Sequence, residues 1–180
     1  PPVKPDKWYN GVRVSKTAWE GADYVSANRT YFAMLWGAAG GGAVGVFRHD
    51  EIGKLPEGDK LNIINGHKNP VLDLAFNPFN ENILATASED GYTKLWKIPD
   101  GGLSKSLEAD DAVQSLKGHK RKVGTVTFHP TASNVLCTSS QDYTVKLWDI
   151  ASGEEKVTLD GPKDLIQCVK FNKDGSLICQ

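Results

Sequence analysis

The sequence predicts an all-β fold assembled from repeated units of four short strands, and three observations carry that prediction. Two stretches are near copies: Gly66-His67 through Phe76-Asn77-Pro78, Ile83-Leu84, Ser88 and Asp90 to Leu95-Trp96-Lys97, and Gly118-His119 through Phe128-His129-Pro130, Val135-Leu136, Ser140 and Asp142 to Leu147-Trp148-Asp149. Their landmarks share one spacing, since His67 and His119, Pro78 and Pro130, Asp90 and Asp142, and Trp96 and Trp148 are all 52 residues apart. Within each copy, short apolar runs alternate with proline or Asp-centred turns, as strands and tight connections do. A fixed period that opens on Gly-His and closes on a Trp-Asp-like pair is the signature of a WD-repeat β-propeller, whose repeats run about 40–45 residues.

The elements follow in order. Residues 1–11 are rich in proline and charge and read as an extended leader. Residues 12–57 form a divergent first blade: Val12, Val14, Ala18 and Trp19 precede Tyr31 to Trp36, and Ala43 to Phe47 follow Gly40-Gly41-Gly42. Three glycines between two apolar runs fit a hairpin turn that needs positive φ. No G-x-x-x-x-G-K-[ST] or G-x-G-x-x-G spacing supports a phosphate-binding alternative. Residues 58–110 are the second blade and 111–160 the third, with first strands Val71–Phe76 and Val123–Phe128 that place Leu74 with Phe76, and Val126 with Phe128, on one face. Asn77-Pro78 and His129-Pro130 end those strands, because proline offers no ladder donor and restricts its predecessor. Second strands run from Ile83 and Val135, and third strands end at Trp96 and Trp148. Residues 161–180 start a fourth blade, where Val169-Lys170-Phe171 follows Val126-Thr127-Phe128 by only 43 residues. The longer spacing upstream locates an insertion after Trp96, at Ile98-Pro99-Asp100-Gly101-Gly102-Leu103 and the acidic stretch Glu108 to Asp111. Insertions of this kind belong in loops and not in the stacked core. A ring needs about four to eight blades, so the chain reads as the N-terminal part of a longer protein, with an incomplete ring and open strand edges.

A net charge of −1 over 180 residues argues against a general nucleic-acid binder. Cys137, Cys168 and Cys179 show no C-x-x-C spacing, so neither a zinc site nor a disulfide framework is expected. No apolar run reaches transmembrane length and no signal peptide opens the chain, which points to a cytoplasmic home. Asn28-Arg29-Thr30 matches a glycosylation sequon, read as chance in such a compartment.

His67, Asp90, His119 and Asp142 would tempt a metal assignment, but each sits at the same place in its repeat and neighbouring blades hold such positions far apart. The expected arrangement is a hydrogen-bonded chain inside each blade: imidazole, strand hydroxyl, turn carboxylate and indole N–H. The two sets are His67, Ser88, Asp90 and Trp96, and His119, Ser140, Asp142 and Trp148; Ser88 and Ser140 supply the hydroxyl, although Thr86 and Thr138 share their face. No serine lies in G-x-S-x-G and no nucleophile has an attendant base, so no catalytic residue, metal or cofactor is expected. The basic residues say more. Lys117, Lys120, Arg121 and Lys122 surround His119, and counting back six from Phe128 and from Trp19 gives Lys122 and Arg13. These two should face one rim, with Lys16 and Lys68 nearby. A solvated charged rim and a binding patch are the competing readings.

At this point the chain resembles coronin, an actin-binding WD-repeat family. The likeness rests on Val12-Arg13-Val14-Ser15 with Trp19, Gly40-Gly41-Gly42-Ala43, Pro70-Val71-Leu72-Asp73, Ile98-Pro99-Asp100-Gly101-Gly102-Leu103, Lys120-Arg121 and Val123-Gly124 around Lys122, His129-Pro130-Thr131-Ala132-Ser133-Asn134-Val135-Leu136, and Gly175-Ser176-Leu177-Ile178-Cys179. It covers almost the whole chain, loops between blades included. The resemblance implies a seven-bladed propeller, then a C-terminal extension and an oligomerising coiled coil that this chain lacks. It implies binding to filamentous actin, links to the branched-filament nucleator and to filament-severing factors, and action at the cell cortex. It also implicates the arginine of the V-R-V-S segment, here Arg13, in filament contact, so the expected actin-binding set is Arg13, Lys16, Lys120, Arg121 and Lys122. Lys97 departs from the acidic residue usual after the tryptophan, and Lys122 is extra. Two rivals remain: a WD-repeat adaptor for a different protein, and a propeller enzyme with its site in a central channel.

Overall fold

The fold, obtained as a computed structural model, describes residues 8–18, 23–56, 61–161 and 164–179. It opens with β1 (Tyr9–Asn10). The first sheet takes β2 (Val25–Ala27), β3 (Tyr31–Trp36) and β4 (Ala43–Arg48); β5 (Gly53–Lys54) then pairs in parallel with β1, and β6 (Ile63–Ile64) completes the sheet. The second sheet is β7 (Val71–Phe76), β8 (Ile83–Ser88), β9 (Tyr92–Lys97) and β10 (Gln114–Lys117). The third is β11 (Val123–Phe128), β12 (Val135–Ser140), β13 (Thr144–Asp149) and β14 (Glu154–Asp160), and a hairpin of β15 (Lys170–Phe171) and β16 (Ile178–Cys179) follows. All pairings within these three sheets are antiparallel. This is a partial propeller: three four-stranded blades and the beginning of another.

The sheets stack because their middle strands are apolar on both faces. Val71, Leu74, Phe76, Leu84 and Trp96 of the second sheet pack against Tyr31, Leu35, Val44 and Ile64 of the first. Val123, Val126, Phe128, Leu136 and Trp148 of the third pack against Ala85, Ala87, Leu95 and Leu116 of the second. Burying an aliphatic or aromatic side chain is worth about 1.5–3 kcal/mol, so each blade holds its neighbour. The second strands β3, β8 and β12 start at Tyr31, Ile83 and Val135, again 52 residues apart. The divergent first blade therefore keeps the period even though its landmark residues are gone.

Two features differ from the sequence-based expectation. The outermost strands β6 and β10 lie beyond the boundaries drawn at 57/58 and 110/111. A sequence repeat opens on the outer strand that completes the preceding sheet, so its limits and those of the sheets are displaced by one strand. The insertion after β9 is also more than a surface loop. Leu107 bridges Ile64 in parallel, with Asn65 N–H donating to the Leu107 carbonyl at 2.7 Å and Leu107 N–H donating to that of Ile63 at 2.9 Å. The Tyr31 hydroxyl donates to the Pro99 carbonyl (3.1 Å) and Asn62 Nδ2 to that of Leu103 (2.9 Å). The insertion thus runs back across the outer edge of the first sheet and covers backbone groups that would otherwise invite strand pairing.

Candidate functional site

Two kinds of polar assembly stand out: one inside each of the last two complete blades and one on the rim. In the second blade His67 Nδ1 lies 2.9 Å from Asp90 Oδ2, His67 Nε2 lies 2.7 Å from Thr86 Oγ1, and Trp96 Nε1–H donates to the same hydroxyl at 2.9 Å. In the third, His119 Nδ1 lies 3.1 Å from Asp142 Oδ2, Nε2 lies 2.7 Å from Thr138 Oγ1, and Trp148 Nε1–H donates to Thr138 at 2.8 Å. The hydroxyl is therefore that of Thr86 and Thr138, not of Ser88 and Ser140. Ladder geometry explains the correction. Trp96 sits opposite Leu84 and Trp148 opposite Leu136, one same-face step from the threonine and two from the serine. Ser88 Oγ donates instead to the Asn69 and Pro70 carbonyls (3.1 and 2.9 Å) and accepts from Asp90 N–H, fixing the turn; Ser140 does the same with Arg121 and Asp142.

The ordering of protons follows from the partners. An imidazole nitrogen facing a carboxylate carries the hydrogen, so Nε2 accepts from the threonine hydroxyl, which accepts from the indole. Burial holds the His119 imidazole below its ordinary pKa despite the attraction of Asp142. Burial opposes ionisation of Asp142, but bonds from Thr144, Lys120 N–H and His119 outweigh it and bring the carboxyl to about 2. Asp90 is likewise lowered: the bonds from His67, Tyr92 N–H and Lys68 N–H overcome its burial. The glycine before each histidine has a steric reason. A Cβ at Gly66 would lie 2.2 Å from the Trp96 ring and one at Gly118 2.8 Å from the Trp148 ring. Among the described residues no three His, Cys, Asp or Glu side chains gather as metal ligands.

On the rim, backbone register fixes which side chains correspond. Val14, Val71 and Val123 pair with Trp36, Ser88 and Ser140, the last residues of β3, β8 and β12. The next N–H of those strands donates to the preceding carbonyl: Gly37 to Arg13 (2.7 Å), Glu89 to Pro70 (2.9 Å) and Gln141 to Lys122 (3.1 Å). Arg13, Pro70 and Lys122 thus occupy one position in three successive blades. The six-residue count used Trp19, which lies outside the described residues; the ladder gives the same equivalence by another route. Arg13 and Lys16 are exposed and border an open groove of about 640 Å³ lined also by Val12, Val14, Gly37 and Ala38. Lys120 and Arg121 are exposed too. Lys122 is not simply displayed to solvent: its Nζ lies 3.3 Å from Glu89 Oε1 of the preceding blade, and both side chains are 27% exposed.

Sequence reasoning missed two acids. Glu89 was one; its signal was the 52-residue spacing from Gly37 and to Gln141. The other is Asp73, in the middle of an apolar strand, which accepts Val126 N–H of the next blade (2.8 Å) and Leu74 N–H (2.9 Å). Burial pushes its carboxyl up to about 7.

Comparison with known proteins agrees with this architecture. Residues 58–97 and 111–149 match the family described as "WD domain, G-beta repeat", and residues 1–54 match "Domain of unknown function (DUF1899)". The chain is 40% identical over 174 residues to Coronin-like protein crn1 of Schizosaccharomyces pombe, covering 96% of this chain and 28% of that protein. It is 45% identical over 175 residues to Coronin-A of Dictyostelium discoideum, covering 97% of this chain and 38% of that protein. The WD40 domain of Toxoplasma gondii coronin, known from its crystal structure, superposes with a TM-score of 0.84 at 28% identity, covering 96% of this chain and 43% of that one. The chain thus spans less than half the length of each of these proteins.

Proposed function

This chain belongs to the coronin family, and from that premise we propose that it serves as an actin-filament-binding scaffold in the organisation of the cytoplasmic, cortical cytoskeleton. The observation that carries the reading is the shared position of Arg13 and Lys122 at one end of two blades, with Lys16, Lys120 and Arg121 exposed beside them. A filament surface is acidic, and an exposed basic rim attracts it over about a Debye length, ~8 Å at physiological salt. Arg13 leads because a guanidinium grips a carboxylate through two parallel bonds, which an ammonium cannot. Lys122 contributes less, part of its charge being engaged by Glu89. A nucleator of branched filaments and severing factors are further partners of the whole protein, and a propeller of this kind would act on them as a platform and not as an enzyme.

Co-sedimentation with actin filaments tests the proposal. In the full-length protein Arg13→Asp should abolish detectable pelleting while thermal stability stays within about 0.5 kcal/mol of wild type, as expected at an exposed site. Lys122→Glu should weaken pelleting by a smaller factor, and added salt should weaken the wild type. Should Arg13→Asp pellet with filaments as well as wild type at matched salt, the rim is a solvated face.

A further inference from the structure

The tier of residues just past the second strands is Gly37, Glu89 and Gln141, and each donates its N–H to a rim position occupied by Arg13, Pro70 or Lys122. Glu89 is the acid of that tier. Its carboxylate reaches across from the second blade to the Lys122 ammonium of the third at 3.3 Å, and the pair is three-quarters shielded from water. A Cβ at Gly91, at the end of the same turn, would lie 3.5 Å from the Arg121 carbonyl oxygen and 3.7 Å from that of His119, so the turn that carries Glu89 abuts the basic loop. We infer that Glu89 is a built-in counter-ion of the basic rim, which holds Lys122 and attenuates the rim's affinity for an acidic protein surface. The inference rests on the reading of the rim as a filament-binding face, and adds that the affinity of this face is held down from within.

An approaching carboxylate must compete with Glu89 for Lys122, and the incoming acidic surface is also repelled by Glu89 at less than a Debye length. Removing the charge while keeping the shape acts on both. Exposed and half-exposed ion pairs carry modest energies, so Glu89→Gln should tighten filament binding by about two- to fivefold at low salt, with the gain fading as salt rises. The charge swap Glu89→Lys with Lys122→Glu preserves the pair and the net charge of the rim. It should bind more tightly than Lys122→Glu alone, which sets two acids side by side on the rim.

Two probes separate this inference from the proposed function. Full-length wild type, Glu89→Gln and the swap are compared by filament co-sedimentation, and by the salt concentration at which each elutes from immobilised poly-aspartate. Tighter pelleting and later elution of Glu89→Gln support the counter-ion. If no variant pellets with filaments but Glu89→Gln still elutes later, the counter-ion stands and the filament reading falls. Unchanged or earlier elution of Glu89→Gln, in a protein whose melting temperature matches wild type, overturns the counter-ion whatever the filaments do.

Discussion

Replacing Thr138 with valine removes one oxygen from the centre of the third blade and keeps the side chain's shape. Thr138 is fully buried, and its hydroxyl serves two neighbours at once, accepting from the Trp148 indole at 2.8 Å and donating to His119 Nε2 at 2.7 Å. Both would be left without a partner in a site closed to water. An unmade hydrogen bond of a buried group costs about 1–3 kcal/mol, and the two losses share one cause, so about 2–5 kcal/mol is expected. Ser140→Ala is the informative contrast. Ser140 is buried as well, but its hydroxyl serves two backbone groups of a turn at the rim, the Arg121 carbonyl at 3.2 Å and the Asp142 N–H at 3.1 Å, and those two residues are exposed and half-buried. About 0.5–1.5 kcal/mol is expected there. Thr138→Ser, which retains the oxygen, should fall below Thr138→Val. The assay is guanidinium unfolding of the full-length protein followed by tryptophan fluorescence, with midpoints compared only where the m-value is unchanged. A Ser140→Ala cost equal to or above that of Thr138→Val would refute the assignment of the hydroxyl.

Two further predictions concern pH and backbone. Asp73 titrates at about 7 in the fold against an ordinary 3.8, so the native state binds the extra proton and the associated stability, present below about 3.8, is lost as pH rises through 7. His119 and Asp142 act in the opposite sense: their folded values are depressed, so their contributions are present above 6.5 and 3.8 respectively and are lost on acidification. Asp73→Asn should therefore make stability rise more steeply, or fall less, between pH 5 and 8 than in wild type, by at most about 1.4 kcal/mol per pH unit; parallel stability–pH curves would contradict this. Tyr143 has φ of +65° where the corresponding turn residue of the second blade is Gly91 at +82°. A left-handed non-glycine residue costs about 1–2 kcal/mol and glycine's extra chain entropy returns about 0.5–1, so Tyr143→Gly should raise the unfolding midpoint slightly, and a lowered midpoint would argue against strain at this turn.

The architecture was legible where a residue type is demanded by contact. Gly66 and Gly118 precede their histidines because an indole lies on them, and the His, Asp and Trp positions recur because each satisfies the next. The hydroxyl was not legible. Thr86 and Ser88 lie on one face of β8, and only the cross-strand partner of Trp96 decides between them. The extent of the sheets was obscured for a related reason: the sequence repeat is read from Gly-His, but the strand before it belongs to the previous blade. Glu89 was hidden because its meaning lies between blades. Nothing local marks Glu89 as a partner of Lys122, 33 residues away. Asp73 was visible as an acid in an apolar strand, but its acceptor role needs the backbone of Val126 in the neighbouring sheet.

The first blade shows how a repeat can lose its landmarks and keep its fold. Phe47 pairs with Phe32 as Trp96 pairs with Leu84, and Met34 stands 52 residues before Thr86, so a phenyl and a thioether occupy the places of the indole and the hydroxyl. A phenyl ring has no N–H to satisfy, which removes the need for the hydroxyl, and with it the imidazole and the turn carboxylate. Apolar contacts replace them: Phe47 lies 5.3 Å from Phe32 and 5.6 Å from Trp36, and Tyr9 from β1 meets Phe32 edge-on at 4.9 Å. The exchange has a consequence at the rim. In the third blade Asp142 holds the backbone of Lys120, and Glu89 holds the side chain of Lys122. The turn at 37–42 of the first blade is Gly-Ala-Ala-Gly-Gly-Gly and carries no acid at all. Loss of the polar chain therefore leaves Arg13 beside a turn that offers it no counter-charge. Among the three register-equivalent positions, this is the one where a cation stands next to an acid-free turn and an open groove, and it is where the test of filament binding should give its largest response.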